Sequence, residues 1–251
     1  SPRRKELMGI LGIDFDPVAT ELGITVTNTP DPVTEPTADL AMGLMLAVTR
    51  RIADVDKRLR IPGALTWGLL ENLGYSLYGK TLGIIGMGRI GQALARRAIA
   101  SGMKIIYFNR HQLDSRIEAL YNAKYVTLDE LFTTADVVSV NAPHTAETTH
   151  IVDAHRLEQM KSTAILVNTA RGPLVDELAL AKALQERKIY GAGLDVFEFG
   201  DKVSSEILAC DNAVLTPHLG TQTFDVRNEM AEHVSKNIIN FYEGGPVSRV
   251  N

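Results

Sequence analysis

Short, nearly continuous apolar runs alternate with helical periodicities through most of the chain. The runs are rich in β-branched residues and are bounded by polar or glycine-containing turns, which is typical of strands. They occupy residues 81–85, 104–108, 136–140, 164–168, 192–196 and 213–216. Apolar strands that alternate with helices form a parallel sheet covered on both faces. The pattern therefore predicts an α/β fold, a doubly wound parallel sheet of the Rossmann type with right-handed crossovers.

Helix signals mark the segments around these strands. Residues 89–101 carry an amphipathic pattern that stops at Gly102, and Thr127 followed by Glu130 predicts a capping box. Residues 37–51 predict a further helix before the first strand.

The two ends of the chain lie outside the alternation. Residues 24–28 look like a strand, and residues 224–242 predict one helix. The apolar stripe of that helix consists of Met230, Val234, Ile238 and Phe241. Such a stripe requires a surface that covers it.

Composition and charge argue against several classes of function. With 251 residues, 45% of them hydrophobic, the chain suffices for one large domain or two small ones. With a net charge of −4, the chain lacks the excess of basic residues that is typical of nucleic-acid-binding proteins. The longest apolar run, 40–48, is too short to span a bilayer. The single cysteine, Cys210, can form no internal disulfide. We therefore expect a cytoplasmic protein that acts on small molecules, with no nucleic-acid or membrane partner.

The histidines do not form a metal pattern. His144, His150 and His155 have no partners at ligand spacing, so we expect no metal. A G-x-S-x-G elbow is also missing, which argues against an α/β-hydrolase.

A glycine motif stands at the junction of the first predicted strand and the helix at 89–101. Its stretch runs Gly86, Met87, Gly88, Arg89, Ile90, Gly91, which is a G-x-G-x-x-G. In this context the glycines allow a tight turn, close approach of a pyrophosphate and close helix packing, with the phosphates at the helix N-terminus. The stretch therefore predicts a dinucleotide site. The simpler alternative is a tight turn without a ligand.

The end of the second strand bears on the choice of cofactor. An acidic residue there would bind the adenosine ribose of NAD, whereas this chain has Asn109 followed by Arg110. A guanidinium can bind a 2′-phosphate bidentately. We therefore favour NADP(H), with NAD(H) possible if Arg110 is only a solvated surface charge.

Polar residues follow three of the later strands. Arg171, Asp195 and His218 each come at or just after a strand end, where ligands bind in open α/β sheets. An arginine and an imidazole beside a reduced nicotinamide suit reduction of a 2-oxo acid. Arg171 would hold the carboxylate and polarise the carbonyl, and His218 would deliver the proton. Taken singly, the arginine could be a surface charge and the histidine a structural residue.

These motifs together resemble one family. Arg89-Ile90-Gly91 and the stretches 168–172, 193–198 and 216–220 resemble D-isomer-specific 2-hydroxyacid dehydrogenases, in unbroken order over about residues 24–243. Within the family, Asn109-Arg110 and the stretch 197–199 look like the fungal glyoxylate and hydroxypyruvate reductase branch. The expected activity is hydride transfer between NADP(H) and a small 2-oxo or 2-hydroxy acid.

The resemblance also adds site residues and a quaternary structure. Pro143 would lie beside the adenosine, Asp195 near the nicotinamide amide, and Thr169 in the cofactor site. The loop around Trp67 resembles a dimerisation arm, which implies a homodimer. The alternative for Trp67 is simple core packing.

Family members carry a separate flavodoxin-like substrate domain, most of which has no counterpart in this sequence. We therefore expect residues 1–29 to be a remnant of that domain. Residues 30–220 would form the dinucleotide-binding domain with its arm, and residues 221–251 a helix that returns to the substrate domain.

One departure from the family concerns the proton donor. Relatives place a glutamate five residues after the Asp of Gly-Leu-Asp-Val, where it pairs with the histidine and raises its pKa; this chain has Gly200. Reduction needs the protonated imidazole, so we expect activity to be lost at a lower pH than in relatives. Glu198 or Asp201 could replace the missing carboxylate if the loop bends.

Two other functions compete with 2-oxo acid reduction. The same fold serves binding modules that sense nicotinamide dinucleotides, and Gly200 together with the missing domain favours that class. A dehydrogenase for phosphite or formate shares these motifs as well.

Overall fold

The computed structural model describes residues 23–29 and 32–248. The chain divides into two compact units, one of residues Thr34–Thr223 and one that combines Ser1–Val33 with Phe224–Asn251. The predicted domain boundaries at 29 and 220 stay predictions. Most of the proposed substrate-domain remnant, residues 1–22, lies outside the described residues.

The larger unit is built on one seven-stranded sheet whose pairings are all parallel. The strands are β1 (Thr81–Ile85), β2 (Lys104–Phe108), β3 (Ala123–Tyr125), β4 (Val137–Val140), β5 (Ile165–Asn168), β6 (Gly191–Leu194) and β7 (Ala213–Leu215). Their order is β3-β2-β1-β4-β5-β6-β7. The chain reverses its direction of growth between β1 and β4, the position at which doubly wound sheets bind ligands. The predicted Rossmann-type fold is confirmed.

Helices follow most of the strands. In chain order they are α1 (Thr34–Thr49), α2 (Ile52–Leu59), α3 (Arg89–Ala100), α4 (Ser115–Tyr121), α5 (Leu128–Thr134), α6 (Ala154–Gln159), α7 (Glu177–Gln185), α8 (Ser205–Leu208) and α9 (Phe224–Glu243), with a 3-10 turn at Gly172–Leu174. Within the described ranges, none of them combines the length and apolar character needed to cross a bilayer.

Both faces of the sheet are covered, because adjacent strand residues point to opposite sides. Ile84 belongs to one buried cluster and Ile85 to the other. The first cluster packs with α1 and α3, whose Met45 and Leu94 are fully buried. The second packs with α5, α6 and α7 around Phe132. This two-sided burial explains why the strands have no polar alternation.

Several predicted elements need correction. The edge strand β3 was missed, because three residues are too few to show a period. The helix expected at 37–51 is α1, which begins at Thr34 and ends at Thr49. The second helix, α2, was not predicted; it begins after Arg51, which takes a left-handed conformation (φ 56°). Residues 24–28 are not a continuous strand; Thr27 alone forms a bridge.

The capping box at α5 is half formed. The Thr127 hydroxyl accepts a hydrogen bond from the Glu130 N–H (3.1 Å), as predicted. The Glu130 carboxylate does not return to Thr127 but accepts from Lys124 Nζ (2.8 Å). The N-cap contact therefore needs no reciprocal partner here.

Two apolar surfaces remain exposed in the described part of the chain. Trp67 is 82% exposed, and Leu69 and Leu70 beside it are exposed as well, so the core-packing alternative for Trp67 is wrong. In the predicted stripe on α9, Val234, Ile238 and Phe241 are exposed and Met230 is partly buried. The homodimer stays a prediction.

Candidate active site

The predicted site residues lie along one edge of the sheet. The glycine stretch follows β1, Asn109 and Arg110 follow β2, and Pro143 follows β4. Beyond the switch point, Thr169 and Arg171 follow β5, Asp195 follows β6, and His218 follows β7. All these strands are parallel, so their carboxyl ends meet at the same edge.

Packing explains two of the three motif glycines. Gly86 has φ 94°, and a Cβ there would lie 2.6 Å from the Ala142 nitrogen; at Gly91 it would lie 2.6 Å from the Gly86 oxygen. At Gly88 a Cβ would meet nothing within 4 Å. The protein itself therefore requires the outer two glycines, whereas Gly88 faces open space. Open space over a backbone is what an approaching pyrophosphate needs.

The start of α3 suits an anion. Gly88 is the N-cap residue and supplies no side-chain cap, and the first turn holds no acidic residue. The N-terminal amides and the helix dipole therefore present positive charge at Gly88. The residues present fit a dinucleotide phosphate.

Asn109 shapes the glycine loop directly. Its Oδ1 accepts a hydrogen bond from the Met87 N–H (2.7 Å), so the carboxamide oxygen is used within the protein. Its carbonyl oxygen accepts from the Tyr125 hydroxyl (3.2 Å). Sequence reasoning treated Asn109 only as a neutral replacement for an acid, and the structure adds this contact with the loop.

The buried Tyr107 holds the segment after Asn109 through hydrogen bonds of its hydroxyl. The Tyr107 hydroxyl donates to Glu118 (2.7 Å) and accepts from the Leu113 N–H (2.9 Å), and burial raises the pKa of Tyr107 to about 12. Arg110 itself is exposed. Its positive charge contributes to the lowered pKa of Glu147, behind hydrogen bonds from Thr145 and the backbone.

Two buried oxygens at the strand ends have no hydrogen-bond partner among the described residues. They are Thr169 Oγ1, after β5, and Asn141 Oδ1, after β4. Buried polar atoms are nearly always satisfied, so an orphaned pair at a ligand-binding edge indicates a polar ligand. The pair lies where the resemblance places the cofactor, and only Thr169 was predicted.

Asn168 shapes the loop that carries Arg171. Its buried side chain accepts from the Ala170 N–H (3.1 Å) and donates to the Arg171 carbonyl (3.0 Å). Arg171 is exposed, and its guanidinium donates to the Ala170 carbonyl (2.6 Å). The direction of the guanidinium therefore depends on the backbone of this loop.

Asp195 holds the turn that presents His218. Asp195 is 1% exposed, and its carboxylate accepts hydrogen bonds from the Thr216 hydroxyl, the Leu219 N–H and the Gly220 N–H (2.6, 2.6 and 3.0 Å). Its carbonyl oxygen accepts from the His218 N–H (2.9 Å). His218 is exposed in a left-handed conformation (φ 59°), which this turn imposes. Sequence reasoning gave Asp195 a cofactor contact and missed this role.

The loop after Asp195 contains Glu198 and Asp201, the two acids that could replace the missing glutamate. Glu198 accepts from the Glu177 N–H (2.9 Å) and pairs with His150 Nε2 (2.6 Å), so both of its oxygens are engaged. The expectation that Glu198 or Asp201 replaces the missing carboxylate stays a prediction. Gly200 has φ 76° and open space where a side chain would start, and Asp201 is exposed.

No described group of three His, Cys, Asp or Glu side chains is arranged to hold a metal ion. The glycine loop at the switch point, the helix N-terminus and the orphaned oxygens together define a dinucleotide-binding domain of the Rossmann class. The sequence model described as D-isomer specific 2-hydroxyacid dehydrogenase, NAD binding domain, matches residues 42–220. The chain belongs to the D-isomer specific 2-hydroxyacid dehydrogenase family, a family of oxidoreductases.

Individual relatives agree with this assignment. A glyoxylate reductase of Thermococcus onnurineus is 46% identical over 241 residues, which cover 94% of this chain and 72% of that protein. The crystal structure of a glyoxylate reductase from Paecilomyes thermophila is 42% identical, with a TM-score of 0.84 over 92% of this chain and 70% of that one. An NADPH-dependent glyoxylate/hydroxypyruvate reductase from Sinorhizobium meliloti, in complex with NADP and malonate, is 37% identical, with a TM-score of 0.82 over 92% and 72%. Archaeal and fungal relatives are both similar, so the fungal branch stays a prediction.

Proposed function

We propose that this protein reduces a small 2-oxo acid of the glyoxylate or hydroxypyruvate type and uses NADPH in preference to NADH. Arg171 binds the substrate carboxylate bidentately and polarises the neighbouring carbonyl. His218, as imidazolium, donates a proton to the carbonyl oxygen and takes it back in the reverse direction. The bound nicotinamide supplies or accepts the hydride.

One chain of hydrogen bonds carries this proposal, because it fixes Arg171 and His218 relative to each other. The Asp195 N–H donates to the Asn168 carbonyl (3.0 Å), and the Asn168 side chain donates to the Arg171 carbonyl (3.0 Å). On its other side Asp195 holds the His218 turn. A carboxylate-binding group and a proton donor on one rigid support suit a substrate that carries a carboxylate next to a carbonyl.

The cofactor preference rests on Arg110 and Asn109. The side chain of Asn109 carries no charge to repel a 2′-phosphate, and Arg110 is an exposed cation at the same strand end. With the Asn109 oxygen held by Met87, its amide N–H groups remain as donors toward the ribose. NADH would bind without the Arg110 contact and therefore more weakly.

The exposed arm around Trp67, Leu69 and Leu70 supports a homodimer, since an apolar surface of this kind is covered in most stable proteins. We also propose that residues 30–220 act as the dinucleotide-binding domain with this arm.

The test is oxidation of NADPH or NADH, followed by absorbance, with glyoxylate, hydroxypyruvate, pyruvate, phenylglyoxylate and 2-ketopantoate. We expect turnover with NADPH and the small 2-oxo acids, and its loss in Arg171→Leu and His218→Leu. Arg116→Leu is the matched control, because Arg116 is an exposed arginine whose ion pair among the described residues is with the neighbouring Asp114. Full turnover in Arg171→Leu would overturn the assigned role of the arginine.

A dinucleotide-sensing binding module is the second candidate. Gly200 favours it, because relatives are expected to carry a glutamate at this position. Tight NADPH binding without turnover on any of the five acids would favour this candidate over the reductase.

A further inference from the structure

Two glutamates exchange hydrogen bonds behind the Arg171 loop. Glu177, at the start of α7, is 3% exposed, and its carboxylate accepts from the Glu198 N–H (2.8 Å) and the Ser204 N–H (2.9 Å). Glu198 returns a carboxylate oxygen to the Glu177 N–H (2.9 Å). Each acid thus satisfies the backbone of the other, which fixes the loop 197–204 on the N-terminus of α7.

His150 adds a third loop to this pair. Its Nε2 lies 2.6 Å from the second carboxylate oxygen of Glu198, and its N–H donates to the Pro173 carbonyl (2.9 Å). Pro173 lies two residues after Arg171, in the 3-10 turn. We call His150, Glu177 and Glu198 the carboxylate clamp. It joins the loop after β4, the loop after β5 and the loop after β6.

The clamp acts on the backbone beside Arg171. Gly172 packs directly against the Phe197 carbonyl and the Glu198 nitrogen, so closely that no side chain fits at Gly172. The hydrogen bonds of Glu198 therefore hold the 197–198 backbone against Gly172, the residue next to Arg171. The exposed guanidinium donates to the Ala170 carbonyl, so its direction follows the backbone of this loop.

We infer that His150 and Glu198 are positioning residues for substrate binding, holding the loop of Arg171 in the conformation that receives the substrate carboxylate. The inference rests on the proposed function, since it takes Arg171 as the carboxylate ligand. When the clamp is broken, the loop populates other conformations, and the apparent affinity for the acid falls in proportion to the fraction of molecules that remains competent. Saturating substrate restores that conformation, so kcat changes little.

The cofactor side of the site is held independently. Thr148 closes its own loop, since its hydroxyl accepts from the Thr145 N–H and donates to the Pro143 carbonyl (2.8 Å each). The glycine loop is held by Asn109. The KM for NADPH is therefore expected to be insensitive to His150.

The experiment compares His150→Leu with His150→Gln. His150 has φ 51° and a side chain that is 41% exposed, so both variants keep the same backbone strain and leave no buried cavity. Glutamine can still donate to Glu198, whereas leucine cannot. His155→Leu is the matched control, because His155 is an exposed histidine that contacts Gln159 on its own helix.

For His150→Leu we expect the KM of the 2-oxo acid to rise at least about tenfold, the lower end of the factor expected for one hydrogen bond to a charged group. In this variant the kcat and the KM for NADPH should stay within about twofold of those of the unaltered protein. In His150→Gln the KM of the acid should also lie within about twofold of the unaltered value. A second measurement titrates oxalate into the NADPH complex, which reports carboxylate affinity without turnover.

The outcomes separate the two claims. If the unaltered protein turns over 2-oxo acids and the acid KM is the same in His150→Leu, the inference is wrong and the proposed function stands. An equal loss in His150→Gln and His150→Leu also overturns it, because the hydrogen bond would not matter. If the unaltered protein neither turns over the acids nor binds oxalate, the proposed function fails and the inference fails with it.

Discussion

Replacing Gly88 by alanine separates a glycine needed by a ligand from glycines needed by the fold. Its backbone (φ −80°, ψ −158°) is open to any residue, and an added Cβ meets no atom within 4 Å. We therefore expect the ligand-free protein to keep its stability. The new methyl group would, however, stand where the pyrophosphate approaches the backbone.

The magnitudes follow from the contacts. At Gly86 a Cβ costs about 1–2 kcal/mol for the left-handed backbone, and the 2.6 Å approach to the Ala142 nitrogen adds about 1–3 kcal/mol of overpacking. Gly86→Ala should thus lower the unfolding midpoint by roughly 5–20 °C. Gly88→Ala should leave the midpoint within about 2 °C, because no such terms apply. Overpacking against the phosphate instead weakens NADPH binding, by roughly 5- to 150-fold.

The assays are thermal unfolding of the ligand-free protein by circular dichroism and titration of NADPH by fluorescence. Gly43→Ala serves as the control, because Gly43 also has no atom within 4 Å of an added Cβ but lies in α1, away from the glycine loop. It should bind NADPH as the unaltered protein does. If Gly88→Ala binds NADPH within twofold of the unaltered protein, the phosphates do not approach this backbone and the reasoning is refuted.

Three further changes test the rest of the site. Arg110→Leu should lower kcat/KM with NADPH at least about tenfold relative to NADH, and an unchanged ratio in steady-state kinetics would contradict the assigned 2′-phosphate contact. Gly200→Glu should cost about 1 kcal/mol in denaturant unfolding, because φ is 76°, while extending reduction to higher pH; an unaltered pH profile would mean that a carboxylate there does not reach His218. Asp195→Asn should lower kcat roughly ten- to a hundredfold with little change in NADPH affinity, since an amide cannot accept all three hydrogen bonds; lost NADPH affinity instead would favour a direct cofactor contact.

The fold could be predicted from the chain because its signals are local and repeated. Continuous apolar runs such as that of β4 indicated two-sided burial, and Gly86 to Gly91 indicated a strand-to-helix junction. The edge strand β3 was too short to give a period. The break between α1 and α2 depends on a left-handed arginine, Arg51, which no propensity anticipates.

The sequence predicted which residues of the site come together, but not the hydrogen bonds that hold them in place. Strand ends placed Arg171, Asp195 and His218 at one edge, because parallel strands share their direction. What holds them there is a set of bonds between side chains and distant backbone amides, such as that of Asp195 with Gly220. These bonds depend on loop conformations, among them the positive φ of His150, which a sequence pattern does not show.

Glu198 already holds its own loop, which bears on which acid could serve His218. A side chain that accepts one backbone hydrogen bond and one from His150 is committed to holding its own loop, and moving it would also release Glu177 and Gly172. These contacts therefore support a role for Glu198 in holding the Arg171 loop. Among the loop positions weighed for the missing acid, Asp201 alone is an exposed carboxylate outside the clamp. If Asp201 does not reach the imidazole, reduction depends on an imidazolium stabilised by other groups, and its loss on the alkaline side should come at a lower pH than in relatives that carry the glutamate.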